Sequence, residues 1–345
     1  MKSYLKLAVA LLVLAPAAAS AETVLRYADY GGNRGIRAEF VTQFLDEVEK
    51  RSEGRIKIER HWAQALLPAK EILDGLKNGV ASLGTVTAGY TPEDLFVYRV
   101  GDLPINNPHE VAGSMALYEL ATTHPAMKKE FEEQGVVYLL NYSVGPIQMI
   151  CSGDPISSVE GFKGVKVRAT ADYGKIYGKF GAIHVPLALP EAYQALDTGL
   201  IDCSQAYGYV IESYKLQEVS KGLTVIDGAT IQSNAMFMSQ REYDALEPKD
   251  QEMIVSLGKE YTRKLAEAMR KRNQEVIEQL GGSGFNGKVL KVVRFTDEDR
   301  AKLEEAGQEF VDSYIAEGEK RGVDAKGLVA DYKAALKKHL MEVSK

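Results

Sequence analysis

The residue best placed for recognition chemistry is Arg168, in the stretch GVKVRAT at 164–170. Val165 and Val167 alternate with Lys166 and Arg168 in the period of a half-buried strand, so the strand closes on a guanidinium. At a strand's end, where the loops of an α/β sheet gather, that group can offer two parallel N–H donors to a planar carboxylate. The fork then fixes the orientation of an acid as well as balancing its charge. The plainer alternative pairs Arg168 with a neighbouring acid, Glu191 or Asp172, for structure alone.

Other chemistries find little support. The five histidines (His61, His109, His124, His184, His339) are scattered, with no HExxH spacing, and there is no GxSxG elbow, so neither a metal nor any other cofactor is expected. GSGFNG at 282–287 spells GxGxxG, but it follows a helical pattern and precedes the strand-like KVLKVV, the reverse of the order a dinucleotide fingerprint requires; it reads as a loop. A net charge of −6 has the wrong sign for a nucleic-acid partner. Cys151 and Cys203 stand in no metal-ligand spacing, and the sequence leaves open whether they bridge or remain two buried thiols.

The elements that must position Arg168 follow an α/β rhythm. Residues 1–21 read as an export signal, with Lys2 and Lys6, an apolar run from Leu7 to Leu14, and Ala19-Ser20-Ala21 as the cleavage site. Strands are expected at 23–28, 55–60, 82–87, 135–142, 147–152, 166–169 and 223–226, with a helix carrying Ile36, Phe40, Val41, Phe44, Leu45 and Val48 between the first two. Pro248 opens a long apolar stripe through Leu257, Leu265 and Leu280 to Gly281, a helix of roughly 50 Å that should lie across two domains. Thr296 with Asp299 marks the cap of a further helix. The expected division is 22–146 with 234–278 for one domain and 147–233 with 279–345 for the other.

After GFKGVKVRAT come KIYGKFGAIHVPL and PEAYQALDTGLIDCSQ. In this order the segments resemble the signature region of the DctP-type substrate-binding proteins of TRAP transporters, through Gly164, Lys166, Arg168, Gly181, Ala182, Pro186, Glu191, Tyr193, Ala195, Leu196, Gly199 and Asp202. The resemblance implies a two-lobed periplasmic binding protein fold and a cleft in which Arg168 makes a bidentate salt bridge to a small organic anion. It further implies binding without catalysis, and membrane subunits of a sodium-coupled transporter as partners, with a monomer as the default.

Departures from the family pattern bear on the ligand. Where relatives that bind sialic acid or C4-dicarboxylates carry a second arginine, this chain has Ile147, with Gln148 beside it; after Asp202, where they have Glu-Asn, it reads Cys203-Ser204-Gln205-Ala206. A second ligand carboxylate would lack a cation, a cost of some kcal/mol once desolvated. Aromatic residues stand near the expected cleft: Tyr30, Trp62, Tyr90, Tyr173 and Tyr207. Gln148 and Gln205 are expected as polar contacts, with Gln64 and Asn33 as weaker candidates. The pattern points to an anion with one acid group, aromatic or hydroxylated. The alternatives are a C4-dicarboxylate or sulfonate binder of the same family, a ligand-sensing receptor subunit, or an exported enzyme acting on an organic acid.

Overall fold

Among the described residues eleven strands form two sheets, and the chain crosses between them before its central strands are complete. The computed structural model describes residues 22–344 apart from 106 and 108; the expected export signal at 1–21 lies outside them. In chain order the strands are β1 (Thr23–Ala28), β2 (Ile56–His61), β3 (Leu83–Thr87), β4 (Val136–Tyr142), β5 (Gln148–Cys151) and β6 (Lys166–Arg168). There follow β7 (Ile183–Val185), β8 (Cys203–Ala206), β9 (Gly222–Val225), β10 (Asn234–Ser239) and β11 (Lys291–Arg294).

The first lobe holds the order β2-β1-β3-β10-β4 and the second β11-β9-β5-β8-β6-β7. In each sheet one strand that follows a crossing runs antiparallel to both neighbours: β10 against β3 and β4, β5 against β8 and β9. The fold is therefore α/β and two-lobed.

Apolar periodicity explains the helices. Val41, Phe44, Leu45 and Val48 bury one face of the helix Gly35–Arg51 against Leu25 and Tyr27 of β1 and Ile56 and Ile58 of β2. Each such side chain, fully buried, contributes about 1.5–3 kcal/mol. The helix Pro248–Gly281 runs 34 residues with proline at its first turn. Ile254, Leu257 and Tyr261 belong to the first-lobe core, whereas Leu265, Met269, Val276 and Leu280 belong to the second, so the helix spans both lobes as its length requires. A Cβ at Gly258 would stand 2.0 Å from the carbonyl oxygen of Leu139, so only glycine lets this helix lie on β4.

The helix Asp297–Lys320 starts with the expected cap, Thr296 Oγ1 accepting from Asp299 N at 3.1 Å. It too changes lobes, since Leu303 and Phe310 pack on the second-lobe core while Val311 and Tyr314 lie in the first. Residues 325–343, grouped by sequence with the second lobe, pack instead on the first: Leu328, Val329, Tyr332 and Leu336 find apolar partners along the helix Glu110–Thr123. GSGFNG is a turn closed by a Phe285–Lys288 bridge, with positive φ at Gly284 and Gly287. Cys151 and Cys203 face each other across β5 and β8 and form a disulfide.

Four strands are absent from the seven expected ranges; one of them, β11, falls in the strand-like KVLKVV and its end. β8 and β10 are buried on both faces, so no alternation marks them, and β7 is a three-residue edge.

Candidate ligand cleft

The C-terminal ends of β1, β3, β6 and β8 carry the residues that meet between the lobes. Arg168, the last residue of β6, is 2 % exposed. Its Nε donates to the Leu187 carbonyl at 3.0 Å, Nη1 to the Gln205 carbonyl at 3.4 Å and Nη2 to the Tyr90 hydroxyl at 3.3 Å. All three acceptors are neutral, and among the described residues no carboxylate lies within 4.0 Å of this guanidinium. The two acids that could have claimed it are engaged elsewhere. Glu191 accepts from the backbone N–H of Ala188 at 2.8 Å, and Asp172 pairs with Arg99 of the first lobe and, more loosely, with Lys175. An ionised group buried without a counter-charge costs several kcal/mol, so Arg168 is electrostatically incomplete.

Arg37 makes the contrast. This second buried guanidinium, in the first turns of the helix Gly35–Arg51, grips Asp29 with two bonds of 2.8 and 3.0 Å. Asp29 also accepts from Gly31 N, Thr85 Oγ1 and the Tyr27 hydroxyl, so the turn after β1 is locked and Arg37 is satisfied. Its guanidinium lies 5.8 Å from the ring centre of Tyr30 and 5.9 Å from that of Tyr142.

The aromatic candidates divide into those near Arg168 and those apart from it. Tyr90 belongs to the short turn Ala88–Tyr90 after β3; its hydroxyl accepts from Arg168 and also from Leu189 N at 2.9 Å, tying the lobes together. Tyr30 meets Tyr90 edge-on with ring centres 5.9 Å apart, and its hydroxyl lies 3.0 Å from Thr87 Oγ1. Tyr207, just past β8, accepts from Gln205 Nε2 at 2.7 Å. Burial pushes its hydroxyl pKa well up, against the nearby charge of Arg168. Tyr173 is buried, and its hydroxyl has no partner among the described residues. Trp62 stands apart: it lies edge-on to Tyr27, at 5.4 Å between ring centres, over the core between the first sheet and its helices.

The polar candidates act mainly as braces. Gln205 Oε1 accepts from Thr170 N at 3.2 Å, so one side chain fixes both the loop after Arg168 and the Tyr207 hydroxyl. Gln148 Oε1 accepts from Ile226 N and Asp227 N, and its Nε2 donates to Asp227, which closes the end of β9 at the crossing. Gln64 Oε1 accepts from Ala69 N, and Asn33 is exposed. A cavity of about 670 Å³ beside the crossing strands is bordered by Gln148, Tyr173, Tyr177, Glu110 and Arg270; Arg168 is not in its wall.

Sequence reasoning did not identify Arg37, Asp29, Tyr142 or Asp102 as neighbours of the cleft. The signal for the first pair was present, an acid just after a strand and an arginine in the first turns of the next helix. Asp102 ends the turn Tyr98–Asp102 and is 8 % exposed, with Oδ1 accepting from Gln232 N at 3.1 Å and Ser233 N at 2.8 Å. Burial pushes its carboxyl up to about 6 despite those bonds.

Comparison with known proteins agrees with this architecture. The ectoine-binding periplasmic protein TeaA of Halomonas elongata is 24 % identical over 315 residues, 90 % of this chain and 89 % of the relative. A TRAP solute-binding protein from Rhodoferax ferrireducens, crystallised with copurified benzoate, superimposes with a TM-score of 0.82 at 23 % identity, over 94 % of this chain and 100 % of its own. A marine metagenome TRAP solute-binding protein specific for aromatic acid ligands, in complex with 3-hydroxybenzoate, gives 0.80 at 23 % identity, over 93 % and 99 %. The family profile described as bacterial extracellular solute-binding protein, family 7 (DctP), matches residues 28–317, and the chain belongs to that family of TRAP solute-binding proteins.

Proposed function

We propose that this chain captures a small organic monocarboxylate, aromatic or hydroxylated, between its lobes, with Arg168 holding the carboxylate in a bidentate salt bridge. The observation that carries the reading is a buried guanidinium whose described partners are three neutral oxygens. A ligand carboxylate supplies the missing charge, and closure around it strengthens the attraction by excluding water. Ile147 in place of a second arginine favours one acid group over two. Tyr30, Tyr90 and Tyr207 offer ring faces and hydroxyls beside Arg168, and relatives of the same fold hold benzoate and 3-hydroxybenzoate.

The function is capture, not turnover. The ligand binds the closed form more tightly than the open one and so draws the lobes shut. The closed monomer, exported by its first 21 residues, is then recognised by the membrane subunits of a sodium-coupled TRAP transporter.

Thermal-shift titration with benzoate, 3-hydroxybenzoate and succinate tests the reading, because a ligand at 100 times its Kd adds about 2.7 kcal/mol of apparent stability. A monocarboxylate should stabilise the wild type and leave Arg168→Ala unmoved. A variant that still binds at near wild-type affinity would remove the central claim.

A further inference from the structure

We infer that the Tyr90 hydroxyl is a dedicated proton donor to the ligand, and that it selects acids with an oxygen acceptor on the carbon next to the carboxylate: 2-oxo acids first, 2-hydroxy acids second. The inference rests on Arg168 as the carboxylate anchor and names what stands beside that carboxylate.

A hydroxyl can accept as well as donate, so its role is ordinarily open. At Tyr90 the partners fix it. Leu189 N donates to the phenol oxygen at 2.9 Å and Arg168 Nη2 at 3.3 Å. A backbone N–H and a guanidinium can only donate, so both bonds run into the oxygen and fill its lone pairs. The phenol's own proton is left over, and among the described residues it has no acceptor. The ring that carries it is held in place. Tyr30 meets it edge-on at 5.9 Å between ring centres, and the Tyr30 hydroxyl is itself placed by Thr87 Oγ1 at 3.0 Å.

Arg168 has a matching remainder. Of the five N–H groups of an arginine, one on each of Nε, Nη1 and Nη2 is committed, to Leu187 O, Gln205 O and Tyr90. One N–H on each terminal nitrogen is left, the pair that the two oxygens of a carboxylate take. The two N–H bonds of Nη2 diverge by about 120° in the guanidinium plane. With the Tyr90 oxygen 3.3 Å away along one and a carboxylate oxygen about 2.9 Å along the other, the two oxygens stand about 5 Å apart. That is too far for a direct bond and leaves room for one further oxygen between them. An oxygen on carbon 2 of the acid, turned to the side of that carboxylate oxygen, occupies the gap and accepts the Tyr90 proton.

A ketone oxygen can only accept, which suits a group that can only donate. A hydroxyl also accepts, but it keeps a proton of its own for which Tyr90 has no lone pair. A 2-ammonium group brings donors alone, to a phenol whose lone pairs are taken and beside the charge of Arg168, so amino acids are disfavoured. A bare methylene leaves the Tyr90 proton unpartnered in a cleft that excludes water, the situation in which polar sites discriminate most strongly.

Calorimetric titration of four acids that differ only at carbon 2, phenylacetate, mandelate, benzoylformate and phenylglycine, tests this on wild type, Tyr90→Phe and Arg168→Ala. Phenylalanine keeps the ring that packs on Tyr30, so the Tyr90 variant should fold. Wild type should bind benzoylformate tenfold or more tighter than phenylacetate, with mandelate between them and phenylglycine weakest. Tyr90→Phe should weaken every acid, because it also removes the acceptor of Arg168 and Leu189, but the preference for benzoylformate over phenylacetate should fall to threefold or less. A merely structural role would leave that ratio where it was. An undiminished ratio in Tyr90→Phe, or a wild type that binds none of the four or takes phenylacetate or phenylglycine as tightly as benzoylformate, overturns the assignment of Tyr90. Undiminished binding to Arg168→Ala overturns the anchor instead, so the two failures are distinct.

Discussion

Arg99 Nη2 of the first lobe lies 2.5 Å from Asp172 Oδ2 of the second, an ion pair whose side chains are only 15 % and 18 % exposed. It joins the two lobes directly, so it stabilises an arrangement that holds them this close, with or without a ligand. Replacing Asp172 by Asn should open the unliganded protein, seen as a larger radius of gyration in X-ray scattering, and weaken ligand binding about three- to tenfold. Arg99→Gln should reproduce the effect, which separates loss of the pair from loss of an acid at a helix N-terminus.

Tyr90 offers a sharper test, because one hydroxyl serves donors from two places in the other lobe. Tyr90→Phe leaves Arg168 Nη2 and Leu189 N each without that acceptor. The expected loss is about 1–3 kcal/mol of closure, or roughly 5- to 150-fold in affinity by calorimetry. Tyr30→Phe, whose hydroxyl faces Thr87 and Tyr142 within its own neighbourhood, should lose much less.

The disulfide should matter to stability more than to binding. Cys151 and Cys203 enclose a sequence separation of 52 residues, and releasing a loop of that size lowers stability by about 2–4 kcal/mol. Urea unfolding of the Cys151→Ser, Cys203→Ser double variant should show this. Gln205 lies two residues beyond Cys203 on β8, still held by strand pairing, so ligand affinity should change less than about threefold.

A buried acid, Glu130, shapes the pH response between about 4.5 and 7. Glu130 accepts from Val97 N and Tyr98 N, yet burial pushes its carboxyl up to about 7 from an ordinary 4.5. The folded state holds this proton more tightly than the unfolded one, so the contribution of Glu130 to stability is greatest below about pH 4.5 and is lost as pH rises toward 7. Asp102 contributes with the same sign between about 4 and 6. His109, whose pKa burial lowers, acts weakly in the opposite direction. Melting temperatures should thus decline from pH 5 to 7.5, and Glu130→Gln should remove much of the decline, at most about 3 kcal/mol.

How far the sequence foretells this molecule depends on whether a feature is periodic or assembled. The helix Pro248–Gly281 was readable to the residue, because proline, apolar stripe and glycine all act locally. The place of Arg168 at the end of β6 was readable because its strand alternates and then stops on a charge. Gln205 and Gln148 were singled out, but their work as braces for Thr170, Tyr207 and Ile226 depends on partners brought together by the sheet. Trp62 was singled out from its place after a strand, but its edge-on contact with Tyr27 is one that no spacing reveals. Asp102 carried no signal, since its partners Gln232 and Ser233 are 130 and 131 residues away in sequence.

Two helices, Pro248–Gly281 and Asp297–Lys320, are each seated in both lobes. A rod of about 50 Å fastened near both ends does not pivot like a loop. When the lobes part it must flex along its length or lift from one seat, and the second rod restricts twisting. If the lobes move as the proposed capture requires, these two rods act as a leaf spring, bending more easily than they twist and recoiling when released.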